Sequence, residues 1–278
     1  MRITLIPNKN KSETVSLAQA VADRLKAVGA QISVPDYATP LPDAAGLCAA
    51  LADTDIAIAI GGDGTIVHVA KAAAAAGCPV LGINAGHVGF LAGLEADELD
   101  ALPALLGGDY TVDERALLEV TVHTQGEATT RYAMNEAVVS RGGLSRLVDV
   151  TVTADGAEVL SCRGDGVIIA TPTGSTAYSL SAGGPVVDPS VDCILLTPVC
   201  PHSLDSRSRV IPAHIPLTVQ VVAADGEQAF ITVDGEKNIP LVAADTVTVR
   251  PATATARLIR LTGTDFYDGL RHKLSDRR

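Results

Sequence analysis

Over the first 112 residues the hydrophobic positions switch repeatedly between two spacings. "RITLIPN" is a short apolar run that ends in a turn, and it predicts a strand. Val15, Ala18, Val21, Ala22, Leu25 and Val28 then recur at the spacing of one helix face until Gly29 stops the run. "QISV" predicts a second strand. "DIAIAI" is apolar at every position, as expected of a strand whose sheet is covered by helices on both faces. Residues 65–76, rich in alanine and followed by Gly77, predict a helix. "PVLGIN" predicts a strand, and "ADELDALPALL" a short helix bent or begun at Pro103. Alternation of this kind predicts an α/β domain with a parallel sheet over residues 1–112.

Beyond residue 112 the period falls to two. "LLEVTVHT", "RYAMNEAVVSR", "RLVDVTVTADG", "GVIIATP", "CILLTPV", "LTVQVVAADG", "QAFITVDG" and "DTVTVRP" are strand-like runs divided by Gly, Asp and Pro turn signals. They predict a second, β-rich and β-sandwich-like domain over residues 113–255. The tail, 256–278, carries one strand and a helix-like end, and is expected to pack back on the first domain.

Composition narrows the possibilities. Hydrophobic residues make up 47% of the 278, enough for a large core, and with three Phe and no Trp that core is aliphatic. A net charge of −11 argues against nucleic acid as a partner, which needs clustered cations, but not against a nucleotide held by backbone amides. Cys48, Cys78, Cys162, Cys193 and Cys200 show no metal-ligand spacing, which argues for reduced thiols in the cytoplasm and against zinc. The N-terminus lacks the apolar core of a signal peptide and no run reaches membrane-spanning length, so no membrane partner is expected.

Chemistry concentrates in three places. In "IAIGGDGTIVHVA" a strand runs through a glycine turn into a helix start. Gly61, Gly62, Gly64 and Thr65 could present N–H groups to phosphate, helped by the helix dipole. Asp63 would repel that phosphate. The alternative is a tight turn with Asp63 as its cap. The loop matches neither a Walker A motif nor GxGxxG. "GDGVIIATPTGSTAYSLSAGGP" is dense in hydroxyls: Thr171, Thr173, Ser175, Thr176 and Ser179 could bond sugar or phosphate oxygens, or form a polar surface loop, and Tyr178 could stack on a base. In "MNEAVVSR", Asn135 suits a purine edge and Glu136 a ribose hydroxyl, although taken alone the pair reads as a strand-edge feature.

Taken in order, "GGDGT" (61–65), "LGINAGHVGFL" (81–91), "NE" (135–136), "GDG" (164–166), "TPTGSTAYSLSAGGP" (171–185) and "PHSL" (201–204) resemble the NAD kinase family over nearly the whole chain. Lipid kinases and phosphofructokinases share versions of "GGDGT"; "TPTGSTAY" with an upstream "NE" points to NAD kinases specifically. The resemblance implies phosphorylation of the 2′-hydroxyl of the adenosine ribose of NAD, giving NADP, with ATP, or in some members polyphosphate, as donor and Mg²⁺ or another divalent cation required. It implies that Asp63 lies near the acceptor hydroxyl as the general base, a help in holding the metal being the alternative, with Gly64 beside it, and that Asn135 and Glu136 hold the adenosine end. Thr176, Ala177, Tyr178, Ser179, Leu180 and Ser181 would wrap that end. Arg163, Asp165 and Cys200 would lie toward the nicotinamide half. Metal ligands are not assigned, and a homodimer or homotetramer is expected. A carboxylate is too weak a base to ionise a ribose hydroxyl in advance, so it would orient the O–H and take the proton late.

His68, one turn into the helix after the glycine loop, is a possible binding residue, and His87 lies in the loop after "LGIN". Phe90 and Leu91 are assigned to the core. The chain departs from the family pattern at Ser208, where proline is common, and at Glu236, where glutamine is common; Glu236 reads first as part of a hairpin turn.

Overall fold

The chain was described as a computed structural model over residues 1–86, 89–124, 126–142, 147–202, 206–222, 229–243, 245–261 and 266–275, the last four of these by backbone alone. It divides into two compact units, Met1–Arg115 with Ala254–Arg278, and Ala116–Thr253.

In chain order the first elements are β1 (Arg2–Pro7), α1 (Ser12–Ala27), β2 (Gln31–Ser33), α2 (Ala44–Leu51), β3 (Ile56–Gly61) and α3 (Asp63–Ala76). β4 (Val80–Asn84), β5 (Leu94–Glu95), α4 (Ala104–Gly107) and β6 (Thr111–Arg115) follow. Next come β7 (Leu118–Thr124), β8 (Glu127–Ala133), β9 (Glu136–Arg141), β10 (Val148–Ala154), β11 (Ala157–Gly164), β12 (Gly166–Ala170) and the one-turn α5 (Tyr178–Ser181). β13 (Cys193–Val199), β14 (Arg209–Pro212), β15 (Leu217–Val222), β16 (Ala229–Val233), β17 (Ile239–Leu241) and β18 (Thr246–Pro251) precede the final β19 (Ala256–Arg260) and α6 (Phe266–Ser275).

The sheet of the first unit runs β2-β1-β3-β4-β19-β6, with β5 beside β4. It is parallel from β2 to β19, while β6 is antiparallel to β19. β19, from the end of the chain, thus lies between β4 and β6, and β6 carries the chain past residue 112 within this unit. Every residue of β3 is buried, as its unbroken apolar run requires. α1 turns Ala18, Val21, Ala22 and Leu25 inward, but Val15 is exposed, and Thr14 takes the buried place by donating its hydroxyl to the Lys11 carbonyl at 2.7 Å. Periodicity did not foretell α2, which Asp43 caps by accepting from the Gly46 amide at 2.8 Å. α3 begins two residues before the predicted start. Gly62 is therefore its N-cap and Asp63 stands in its first turn, while Gly77 closes the helix in the left-handed conformation at φ 71°. Pro103 divides "ADELDALPALL" into a 3₁₀ turn, Leu99–Ala101, and α4.

The second unit holds two six-stranded antiparallel sheets, β11-β10-β15-β18-β7-β8 and β14-β13-β12-β9-β16-β17. Val148, Val150, Val152, Val219 and Val221 of the first share one core with Val167, Ile169, Ile194 and Leu196 of the second. That is a β-sandwich, in which alternate residues of each strand fill the layer between sheets. The run "RYAMNEAVVSR", read as one strand, is two: β8 belongs to one sheet and β9 to the other, and residues 134–135 carry the chain across. β11, absent from the predicted strands, returns from β10 through Asp155 and Gly156, both at positive φ as a tight hairpin turn demands. Among the described residues no helix is long and apolar enough to cross a membrane.

Candidate active site

The glycine turn sits where β3 feeds α3. Its glycines have different causes. A Cβ on Gly61 would lie 2.5 Å from the Thr65 hydroxyl, so the fold itself needs glycine there, and Thr65 is buried and accepts from the Asn8 amide at 3.0 Å. Gly62 and Gly64 are different: neither has positive φ, and a Cβ on either would meet no atom within 4 Å. Gly62 is the N-cap, a position that favours glycine over alanine, and Gly64 lies in the first turn with open space beside it. Both glycines lie at the N-terminus of α3, where the backbone beside them is left uncovered by side chains.

Asp63 does not serve as the N-cap, a position Gly62 holds. Its carboxylate reaches another loop, where Oδ2 accepts from the Phe90 amide at 3.0 Å and Oδ1 from the Leu91 amide at 3.2 Å. Phe90 and Leu91, assigned to the core from their side chains, thus act through their backbones. Gly89 makes room for the contact: a Cβ there would stand 2.2 Å from Asp63 Oδ1. Nearby, Asn84 donates to Glu95 Oε2 at 2.8 Å, and burial pushes the Glu95 carboxyl above its ordinary range while this bond opposes the rise. His68 places Nε2 2.7 Å from the Pro42 carbonyl, tying its ring to the segment ahead of α2. His87 lies outside the described residues.

In the second unit Asn135 and Glu136 are fixed by a residue far along the chain. Asp234, at φ 47°, accepts from the amides of Met134 at 2.8 Å, Asn135 at 2.9 Å and Glu136 at 3.0 Å, and its own amide donates to the Glu136 carbonyl at 2.9 Å. From the other side the Thr171 amide donates to the Asn135 carbonyl at 2.9 Å, and the Thr171 hydroxyl to the Met134 carbonyl at 2.6 Å. Gly174 is held so close that a Cβ would lie 2.1 Å from the Asn135 carbonyl oxygen. The strand break at 134–135 is therefore a built feature that presents the Asn-Glu pair. The Asp-Gly turn signal at 234–235 was visible in sequence, but not the three amides its carboxylate would receive.

Glu136 is buried, and among the described residues its Oε2 has no hydrogen-bond partner. Burial pushes its carboxyl up to about 7; the Asp234 charge adds to the rise and the Tyr178 amide opposes it. Folded Glu136 thus keeps its proton above the ordinary glutamate pKa of about 4.3, where the unfolded chain has lost it. This contribution to stability is full at low pH, falls as pH rises toward 7, and is level above. Glu136→Gln cannot lose a proton, so its stability is expected to gain on wild type as pH rises from about 5 to about 8, by an amount on the order of a few kcal/mol, with a matching rise in relative melting temperature. Paired melting curves check this, and an equal offset at both pH values would remove Glu136 as the source.

The hydroxyl-rich segment folds inward more than its sequence suggests. Thr171, Thr173, Ser175 and Ser179 are buried. Ser175 bonds the carbonyl and amide of Val187, Ser179 bonds Thr197 at 2.9 Å, and Thr176, half-buried, donates to the Thr173 carbonyl at 3.1 Å. Tyr178 and Ser181 are exposed, with Ala177 and Leu180 partly so. Tyr178 is brought beside Glu136 through its backbone amide. Arg163, Asp165 and Cys200 also converge: the Asp165 amide donates to the Val199 carbonyl, and the His202 amide to that of Arg163. Arg163 pairs with Asp149 at 3.8 Å and Asp165 with Arg141 at 2.6 Å, while Cys200 is exposed at φ 45°. Glu236 pairs with Arg131 at 3.1 Å.

The chain thus joins an α/β unit with a glycine turn at a helix start to a β-sandwich with a clamped Asn-Glu pair, and its family models are those of a kinase. Residues 3–110 match the ATP-NAD kinase N-terminal domain and residues 134–261 the ATP-NAD kinase C-terminal domain. The chain belongs to the ATP-NAD kinase family. It is 44% identical to the NAD kinase of Symbiobacterium thermophilum over 99% of both chains, and 35% identical to that of Lachnoclostridium phytofermentans over 99% of both. The fold is shared with a yeast NADH kinase complexed with NADH (TM-score 0.85, 23% identity, 99% of this chain and 87% of that one). It is shared also with an Archaeoglobus fulgidus NAD kinase in complex with ATP (TM-score 0.76, 24% identity, 99% of both).

Proposed function

We propose that the chain is an NAD kinase that transfers the terminal phosphoryl group of ATP to the 2′-hydroxyl of the adenosine ribose of NAD, giving NADP. The observation that carries the reading is the glycine turn: Gly62 and Gly64 face open space beside a carboxylate held by two amides. In this assignment the amides after Gly62 receive donor phosphate, and Asp63 orients the acceptor hydroxyl and takes its proton late in transfer. Positioning and charge neutralisation dominate such a reaction.

On the second unit, Asn135 is assigned to the adenine edge and Glu136 to an adenosine ribose hydroxyl. The unpartnered Glu136 oxygen supports this, since a ribose hydroxyl would satisfy it. Residues 176–181 are assigned to the adenosine end, with Tyr178 against the base and Ser179 contributing through its backbone, since its hydroxyl is engaged. Arg163, Asp165 and Cys200 are assigned to the nicotinamide half. Tyr178→Ala is expected to weaken NAD binding by about tenfold through lost stacking, with a smaller change in kcat. Calorimetric titration checks it, and an unchanged Kd would remove the stacking role.

Mg²⁺ or another divalent cation belongs to the reading. Among the described residues no group of three or more His, Cys, Asp or Glu is arranged to hold a metal. That donor set fits a cation carried mostly by donor phosphates, with Asp63 as the carboxylate at hand. Once bound, the cation would neutralise charge developing on the phosphates. Free thiols at all five cysteines support a cytoplasmic protein. The outer strand β14, with Val210 53% exposed, supports a homodimer or homotetramer. The deciding assay is NADP formation from NAD, ATP and Mg²⁺ by the purified chain; no NADP alongside phosphorylation of a lipid acceptor would overturn the reading.

A further inference from the structure

The loop that grips Asp63 is itself gripped from behind. β19 ends at Arg260, whose side chain is 17% exposed. Its guanidinium donates to the Ala92 carbonyl, to the Phe90 carbonyl at 3.3 Å and to Asp113 Oδ2 of β6 at 3.4 Å. The same short loop donates its Phe90 and Leu91 amides to Asp63. One planar cation therefore fastens the carbonyl side of residues 90–92 while the amide side fastens the carboxylate. The loop has little slack: a Cβ on Gly93 would lie 2.0 Å from the Ile259 carbonyl oxygen, and one on Gly89 2.2 Å from Asp63. Any shift of these residues is passed to the carboxylate.

We infer that Arg260 is a positioning residue for phosphoryl transfer, setting residues 90–92 so that their amides keep the Asp63 carboxylate in its reactive orientation. This rests on the reading of Asp63 as the catalytic carboxylate. The guanidinium suits the task because its planar fork bonds two carbonyls and a carboxylate at once, whereas a lysine ammonium is a point charge on a flexible stem. The side chain is not what seats its strand. β19 is paired through its backbone with β4 on one side and along its whole length with β6 on the other, so the sheet survives the loss of the guanidinium.

The test compares full-length wild type, Arg260→Met, Arg260→Lys, Asp63→Asn and the double variant Asp63→Asn with Arg260→Met. Steady-state kinetics, calorimetric NAD binding and thermal melting are measured on each. Arg260→Met is expected to lower kcat by about 10- to 100-fold while KM and Kd for NAD stay within about threefold, as loss of reactive geometry predicts. Arg260→Lys is expected to recover part of the loss, and it carries the test alone should Arg260→Met fail to fold. In the Asp63→Asn background, Arg260→Met is expected to cost less than about threefold more, because both act on one carboxylate. Equal slowing by Arg260→Met in the two backgrounds would overturn the inference, as would a lowered melting temperature with kcat per folded molecule unchanged. Full wild-type kcat in Arg260→Lys would overturn the role of the fork. Unchanged turnover in Asp63→Asn alone would instead remove the reading of Asp63, and this inference with it.

Discussion

Asp63→Asn is expected to lower kcat by about 100-fold or more while NAD affinity stays within about threefold, the loss typical of a removed general base. The substitution keeps the size of the side chain but replaces one acceptor oxygen with an N–H donor. In wild type each carboxylate oxygen receives one loop amide, from Phe90 and from Leu91. Asparagine can accept only one of them and turns a donor toward the other. It cannot take a proton from the hydroxyl. On the proposed assignment the variant removes the base and loosens its mount together, whereas the assigned adenosine contacts lie on other residues. Stopped assays for NADP and calorimetry with NAD separate the two effects. Turnover within about threefold of wild type would take the role of base away from Asp63.

Asp234→Ala is expected to destabilise the second unit by about 3 kcal/mol or more and to abolish measurable NAD binding. Three backbone N–H groups, from Met134, Asn135 and Glu136, lose their acceptor at once. Each such donor left unpaired costs roughly 1–3 kcal/mol, with access to water setting the lower end. The effect on binding follows from where those amides are. They hold the break between β8 and β9 from which Asn135 and Glu136 are presented, and the Thr171 bonds and the backbone amide of residue 234 on the Glu136 carbonyl would remain without replacing them. Asp234→Asn, which keeps an acceptor oxygen, is expected to fall between the two. Denaturant melts and NAD titrations check both variants. Wild-type stability in Asp234→Ala would mean the three bonds contribute nothing net.

The local parts of this architecture were open to reading from sequence. An unbroken apolar run such as β3 is explained only by cover on both faces, and an acidic residue among glycines marked Asp63 at once. The supports of the site were not readable, because they are made by backbone or span long separations. Phe90 and Leu91 contribute amides, which leave no trace in side-chain type. Arg260 is 170 residues from Phe90, and its sequence neighbours read as an ordinary strand. Asp234 looks the same whether its carboxylate faces water or caps a distant strand break. In the hydroxyl-rich segment Thr171, Ser175 and Ser179 make hydrogen bonds within their own fold, a role that side-chain polarity alone does not disclose.

The place of β19 bears on how the chain is made. A ribosome releases β1 to β6 first, yet among the described residues the partner of β6 in the sheet is β19, which follows the whole sandwich in sequence. Domains generally fold as units in the order of synthesis. Here the first unit starts first and closes last, after the whole sandwich has been translated. The guanidinium that braces the loop behind Asp63 arrives on that closing strand. A chain that lacks β19 therefore carries the glycine turn without the Arg260 bonds to residues 90–92, and on the reading proposed above its carboxylate would be set only once that strand is in place.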